Sequence, residues 1–207
     1  RLFNSMKMED KIKLKVVGLT YSQIQSGAYA LILGQVDGPY RIPVVIGAPE
    51  AQSIAIELEG IIPPRPMTHD LFESFTHAFG IKLLQVYIYK FEDGIFYSEL
   101  TFSDGDRQIV LDSRTSDAIA IAIRTKSPIF TTSEILTTTG FVFDSDSNPS
   151  LRADKDEDLG INAEPKLENY AIEELESLLA KHIENEEYEE AAKIQAIINE
   201  KKNKSKE

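Results

Sequence analysis

The chain contains no cysteine, so disulfides and thiolate chemistry are excluded, and its absence points to a reducing, cytoplasmic setting. It has three histidines, His69, His77 and His182, too few for a His-rich metal site. No apolar run approaches the roughly 18 residues of a membrane-spanning helix, so no membrane association is expected, and no signal peptide is visible. A basic stretch of the kind nucleic-acid binders usually carry is also missing.

What is present is a 42% hydrophobic composition over 207 residues, enough for one core and an appendage. The net charge of −12 is uneven. Residues 1–144 carry 13 Lys/Arg against 17 Asp/Glu, whereas residues 145–207 carry 9 against 17, so the acidity belongs mainly to the C-terminal third. Residues 1–10 are read as an N-terminal segment outside the fold. Arg1–Ser5, ahead of Met6 and Met8, are either a cloning remnant or the end of a trimmed chain.

Lys11 to Thr20 alternates apolar residues with lysines, the period of a half-buried strand. Two further strands, Ala28–Val36 and Tyr40–Ile46, flank an Asp37-Gly38-Pro39 turn, and Pro43 places the second at an edge or a bulge. Pro49 and Glu50 suit the first turn of a helix that Gly60 ends. Glu50 and Glu57 lie two turns apart on one side of it. Such a pair can hold a divalent cation, but nothing else completes the set, and a solvated face is the simpler reading. Thr68 is expected to cap the helix Asp70–Phe79. A three-strand meander then runs through Lys82–Phe91, Ile95–Phe102 and Gln108–Leu111, and Thr132-Ser133-Glu134 opens a short helix. Residues 144–168 have the composition of a flexible acidic linker. Residues 169–203 read as an αα-hairpin whose two apolar stripes need a partner or a second copy. The fold class is therefore α+β, a mixed or antiparallel β-sheet with packed helices, followed by the hairpin.

Ile109 to Phe130 is the centre of this organisation. It is expected to open as a buried strand, Ile109-Val110-Leu111, and then places Asp112, Ser113, Arg114, Ser116 and Asp117 ahead of an apolar helix with Arg124 on its last turn. Polar clusters between a strand and a helix often carry chemistry. The competing account is a helix cap, with Ser113, Ser116 or Asp117 satisfying orphan N–H groups and Arg124 complementing the dipole.

Three segments, GAPEAQSIAIELEG (47–60), RPMTHDLF (65–72) and LDSRTSDAIAIAIRTKSPIF (111–130), resemble in order and spacing the bifunctional nuclease domain, and the match spans residues 11–143. One departure is Thr115, where the family pattern has proline. The resemblance implies a compact α+β fold that forms homodimers or higher homo-oligomers, and phosphodiester hydrolysis of RNA, DNA or both. It implies that Asp112 and Asp117 orient water or hold a divalent cation such as Mg²⁺, with the metal requirement open. Arg114 and Arg124 would stabilise the developing anion, and Arg65 and His69 would assist from the neighbouring loop. A structural ion-pair network built from Asp112, Arg114, Asp117 and Arg124 is the alternative. LESLLAKHIENEEYEEAAKIQAIINE (175–200) is similar to the UVR motif, with Gln195-Ala196 in place of its Arg-Asp, and implies protein–protein docking through the hairpin. The alternative function is thus a non-catalytic oligomeric adaptor.

Overall fold

In the computed structural model, which describes residues 11–22, 27–142, 167–185 and 187–204, the alternating N-terminal run forms strand β1 (Ile12–Tyr21). It pairs antiparallel with β2 (Ala28–Gln35), which turns through Asp37-Gly38-Pro39 into β3 (Tyr40–Gly47). Helices α1 (Ala48–Leu58) and α2 (Thr68–Ala78) follow, then the antiparallel meander β4 (Lys82–Glu92), β5 (Ile95–Ser103) and β6 (Gln108–Arg114). The β4–β5 turn is tight because Asp93 and Gly94 both take positive φ (50° and 81°), the geometry of a two-residue hairpin.

Helix α3 (Thr115–Thr125) returns the chain so that β7 (Ile129–Thr131) enters the middle of the sheet. Helix α4 (Ser133–Thr139), capped by the Thr132 hydroxyl accepting from the Ile135 N–H at 3.1 Å, leads to β8 (Phe141–Val142). The eight strands lie in the order β6-β5-β4-β7-β1-β2-β3-β8, and only the β4–β7 pair is parallel. The molecule is α+β.

Helix α3 is the central element. Ala118 through Ala122 are all buried, and the alanines at 118, 120 and 122 let the helix lie against α1, α2 and the sheet at once. The core joins them to Ile54 of α1 and to Leu31, Leu33, Ile42, Val86, Ile88 and Leu100 of the sheet. The helix ends where Lys126 turns left-handed (φ 54°), two residues before Pro128.

Three expectations change. Ile109, Val110 and Leu111 are not buried: among the described residues β6 is the last strand, with β5 as its one neighbour, and all three side chains are about half exposed. An apolar triplet reads the same at a sheet's edge as at its centre, because periodicity carries no strand order. Thr68 does not cap α2 but begins it; Met67 is the cap residue, and the Asp70 carboxylate takes the Met67 N–H at 2.8 Å. Glu50 leaves the solvated face assigned to it, as shown below. Pro43, by contrast, does sit on an edge. β8 pairs with Tyr40 and Arg41, so among the described residues one side of β3 has no strand partner from residue 42 onward.

At the C-terminus a 3₁₀ turn (Leu167–Asn169) precedes α5 (Ile172–Glu184) and α6 (Tyr188–Lys204). The two apolar stripes close on each other: Leu175, Leu178, Ile194 and Ile198 are buried together with Tyr170, and Val45 of β3 packs against this group. The hairpin therefore docks on its own body. Ile183 and Tyr188, at its tip, stay exposed. The expected linker, 144–168, lies outside the described residues up to position 166. Among the described residues, no helix is long and apolar enough to cross a membrane.

Candidate active site

The first turns of α1, α2 and α3 converge, and one run of polar contacts threads them. At the buried end Arg124, on the last turn of α3, lies with its side chain 1% exposed. Its Nε donates to Asp70 Oδ1 at 2.6 Å, its Nη1 to the Ala120 carbonyl at 2.8 Å, and its Nη2 to the carbonyl and hydroxyl of Ser53 at 3.1 and 3.2 Å. Ser53 Oγ lies 2.8 Å from His69 Nδ1, and His69 Nε2 lies 3.1 Å from Asp117 Oδ1. Arg114 then donates from Nε to Asp117 Oδ2 at 2.7 Å, and its Nη2 sits 2.9 Å from Glu50 Oε1.

The direction of this run follows from the donors. A carboxylate only accepts, so His69 Nε2 carries the proton that faces Asp117; in the neutral imidazole Nδ1 then accepts from the Ser53 hydroxyl, which itself accepts from Arg124. A buried cation thus stands two hydrogen bonds behind the histidine that faces the most accessible carboxylate of the run.

The two ends differ in character. Arg124, Ser53 and Asp70 are a packed structural joint. At the outer end Asp117 is 27% and Arg114 68% exposed, so their ion pair contributes about 0–1 kcal/mol and breaks at little cost. Both carboxyls titrate below the ordinary aspartate range. Burial pushes each up, but for Asp117 the Arg114 and His69 hydrogen bonds outweigh it, and for Asp70 those from Arg124 and the Met67 amide do. A carboxyl whose folded value lies below its unfolded one gives stability that is complete above the unfolded value and lost as pH falls through the folded one. The urea midpoint should therefore hold steady from pH 7 to 5 and fall below about pH 4. Asp117→Asn should flatten part of that fall; a midpoint already declining between pH 7 and 5 would contradict the assignment.

Of the residues named from sequence, His69, Arg114, Asp117 and Arg124 come together. Asp112 does not join them. It lies on exposed β6 opposite Glu99, and strand alternation turns it to the face opposite Leu111 and Ser113. Arg65 is exposed in the connector between α1 and α2, with no hydrogen bond or ion pair among the described residues.

Sequence reasoning missed Ser53, Asp70 as a partner of Arg124, and the position of Glu50, whose side chain is only 17% exposed beneath Arg114. Gly47 makes room for it, since a Cβ there would stand 2.6 Å from Glu50 Oε2. A signal for Ser53 existed: it is a hydroxyl among Ala51, Ile54 and Ala55 on the buried side of α1. The cap account of Ser113, Ser116 and Asp117 does not hold, because α3 has Arg114 at its N-cap and no side-chain cap hydrogen bond.

Beside this run, Glu50, Arg114, Thr115 and Ser116 line a cleft of about 340 Å³. It is closed on other sides by β3, by the β4–β5 turn and by Glu174 of α5. Among the described residues no group of three or more His, Cys, Asp or Glu is arranged to hold a metal ion.

The chain belongs to the bifunctional nuclease domain family, whose model matches residues 31–144. It is also similar to two uncharacterized proteins of Mycobacterium tuberculosis, MT1877 of strain CDC 1551 / Oshkosh and Rv1829 of strain H37Rv. Each is 37% identical over 136 residues, covering 66% of this chain and 80% of the relative.

Proposed function

We propose that this chain hydrolyses phosphodiester bonds of RNA or DNA at the outer end of the polar run. Asp117 orients the attacking water, Arg114 offsets charge on the phosphate, and His69 holds Asp117 in place. Arg124 acts as a positioning residue behind them. The observation that carries the reading is the Asp117 carboxylate, held ionised between a solvent-facing guanidinium and an imidazole of fixed tautomer. The exposed Arg114 can turn from Asp117 to a phosphate without disturbing the core. The test is cleavage of labelled single-stranded RNA and double-stranded DNA, with Mg²⁺, with Mn²⁺ and with chelator, comparing wild type with Asp117→Asn. Equal activity in both proteins would end the proposal.

A second reading rests on Ile183 and Tyr188, 51% and 66% exposed at the hairpin tip while Leu175, Leu178, Ile194 and Ile198 are covered. In it, the tip docks a protein partner as the UVR resemblance implies, and the body serves as the platform. A photo-crosslinker placed at position 188 of the full chain decides this. A discrete protein adduct that disappears with Ile183→Ala supports docking, and labelling by solvent alone removes it.

A further inference from the structure

We propose that the cleft beside the polar run seats one nucleotide of a single strand, its phosphate held between the N-termini of α1 and α3. The inference rests on the hydrolytic reading for its substrate class and stands on separate observations.

The cleft is bounded at one end by Gly47 and Glu50 of α1 and by Arg114, Thr115 and Ser116 of α3. Both helices are eleven residues long, and neither start has a side-chain cap hydrogen bond. Each therefore presents orphan amide N–H groups and the positive end of its dipole. The independent observation is Ser116. It is 9% exposed, it lines the cleft, and its hydroxyl has no hydrogen-bond partner among the described residues. The residue is buried but its hydroxyl opens onto the cleft, where water meets it in the free protein and an acceptor from outside the chain can take that water's place. A phosphate oxygen supplies an acceptor to Ser116 and to the orphan amides together.

The remaining walls set the size and shape of the ligand. At about 340 Å³ the cleft exceeds a phosphate and falls near the lower end of small-molecule sites. The end away from the helix starts is apolar, with Val45, Ile95 and Phe96, a surface for a sugar or a base. Two carboxylates limit the charge it accepts: Glu50 is neutralised by Arg114 at 2.9 Å, whereas Glu174 stands at the rim and takes the Ala171 N–H at 3.0 Å. That balance suits one phosphate and disfavours a second alongside it. A duplex, with two backbones, is the poorer fit.

The experiment is a ¹⁵N–¹H titration of the full chain with inorganic phosphate at constant ionic strength, followed by a nucleoside 5′-monophosphate and by the nucleoside without phosphate. Phosphate should shift the amides of Ala48, Glu50, Thr115, Ser116 and Asp117 saturably, and the nucleotide should bind more tightly than either fragment. Ser116→Ala should weaken phosphate binding about ten-fold or more, the effect of one hydrogen bond to a charged group. Ser116→Asp, which places a carboxylate where the phosphate sits and suits a helix start, should abolish it with the rest of the spectrum unchanged. Unmoved amides in wild type, or equal binding by Ser116→Asp, would overturn the proposal. The titration reads binding and the cleavage assay reads turnover, so the two readings fail separately. Phosphate binding without hydrolysis leaves the cleft and removes the nuclease, whereas hydrolysis undiminished in Ser116→Asp removes the cleft and leaves the nuclease.

Discussion

Arg124→Ala should destabilise the domain by about 3–5 kcal/mol, a large share of the roughly 5–15 kcal/mol that holds a domain of this size together. The side chain is 1% exposed and spends three nitrogens on three elements. Its removal strands Asp70 Oδ1, returns the Ser53 carbonyl and hydroxyl to an apolar surrounding, and opens a void between α1 and α3. Asp70 is 24% exposed and can recover some hydration, which favours the lower half of that range. Arg124→Lys should recover only part of the loss, because an ammonium cannot span the same acceptors as a planar fork. The decisive comparison is a double-mutant cycle in urea. Asp70→Asn should cost much less in the Arg124→Met background than in wild type, since the partner charge is already gone. Additive costs would mean that the two side chains stabilise independently.

Asp117→Asn should lower hydrolysis by about 100-fold or more, the usual scale for a positioned acid–base or water-orienting group, with a smaller effect on stability. Asparagine retains an acceptor for His69 Nε2–H but removes the charge facing Arg114 Nε, so the guanidinium loses one of its two carboxylate partners and keeps Glu50. The exposed pair is worth little to the fold, and this separates a kinetic effect from unfolding. Asp112→Ala is the matched control: it removes a carboxylate five residues away in sequence that shares no contact with the run, and it should leave kcat/KM within about two-fold of wild type. A loss in Asp112→Ala equal to that in Asp117→Asn would move the chemistry to the β6 edge. Losses in neither would leave the docking reading in possession of the molecule.

Much of the fold could be read in the chain because its signals were local. Alternation along residues 11–20, the Asp37-Gly38-Pro39 turn, Pro49 in the first turn of α1 and Thr132 ahead of α4 each act within a few residues, and each appears in the structure as expected. The site was half legible. The DSRTSD segment marked the right corner, yet Asp112 and Asp117 differ in role because one lies on an outward strand face and the other in the first turn of a helix. Five residues of sequence separate them, and only the strand-to-helix junction tells them apart. Ser53 and Asp70 were hidden for another reason. Their partner Arg124 is 71 and 54 residues away, and no periodicity within a window reaches so far. The exposure of Ile109–Leu111 depends on strand order, a property of the whole sheet.

Strand β7 sets a schedule for synthesis. Its three residues pair with β1 on one side and β4 on the other, and they are what joins the β1-β2-β3-β8 half of the sheet to the β4-β5-β6 half. A nascent chain emerging from the ribosome can zip β1-β2-β3 and then β4-β5-β6 as they appear, since those connections are short, with β8 joining β3 only after β7. The sheet cannot become one until residue 131 is clear of the exit tunnel, because Ile12 must wait for Thr131. Until then the edges of β1 and β4 that β7 will occupy stay open, and so does the apolar floor that α3 will cover. The interval between strand β4 and strand β7 is therefore when this chain is most open to chaperones, and to mispairing with its neighbours.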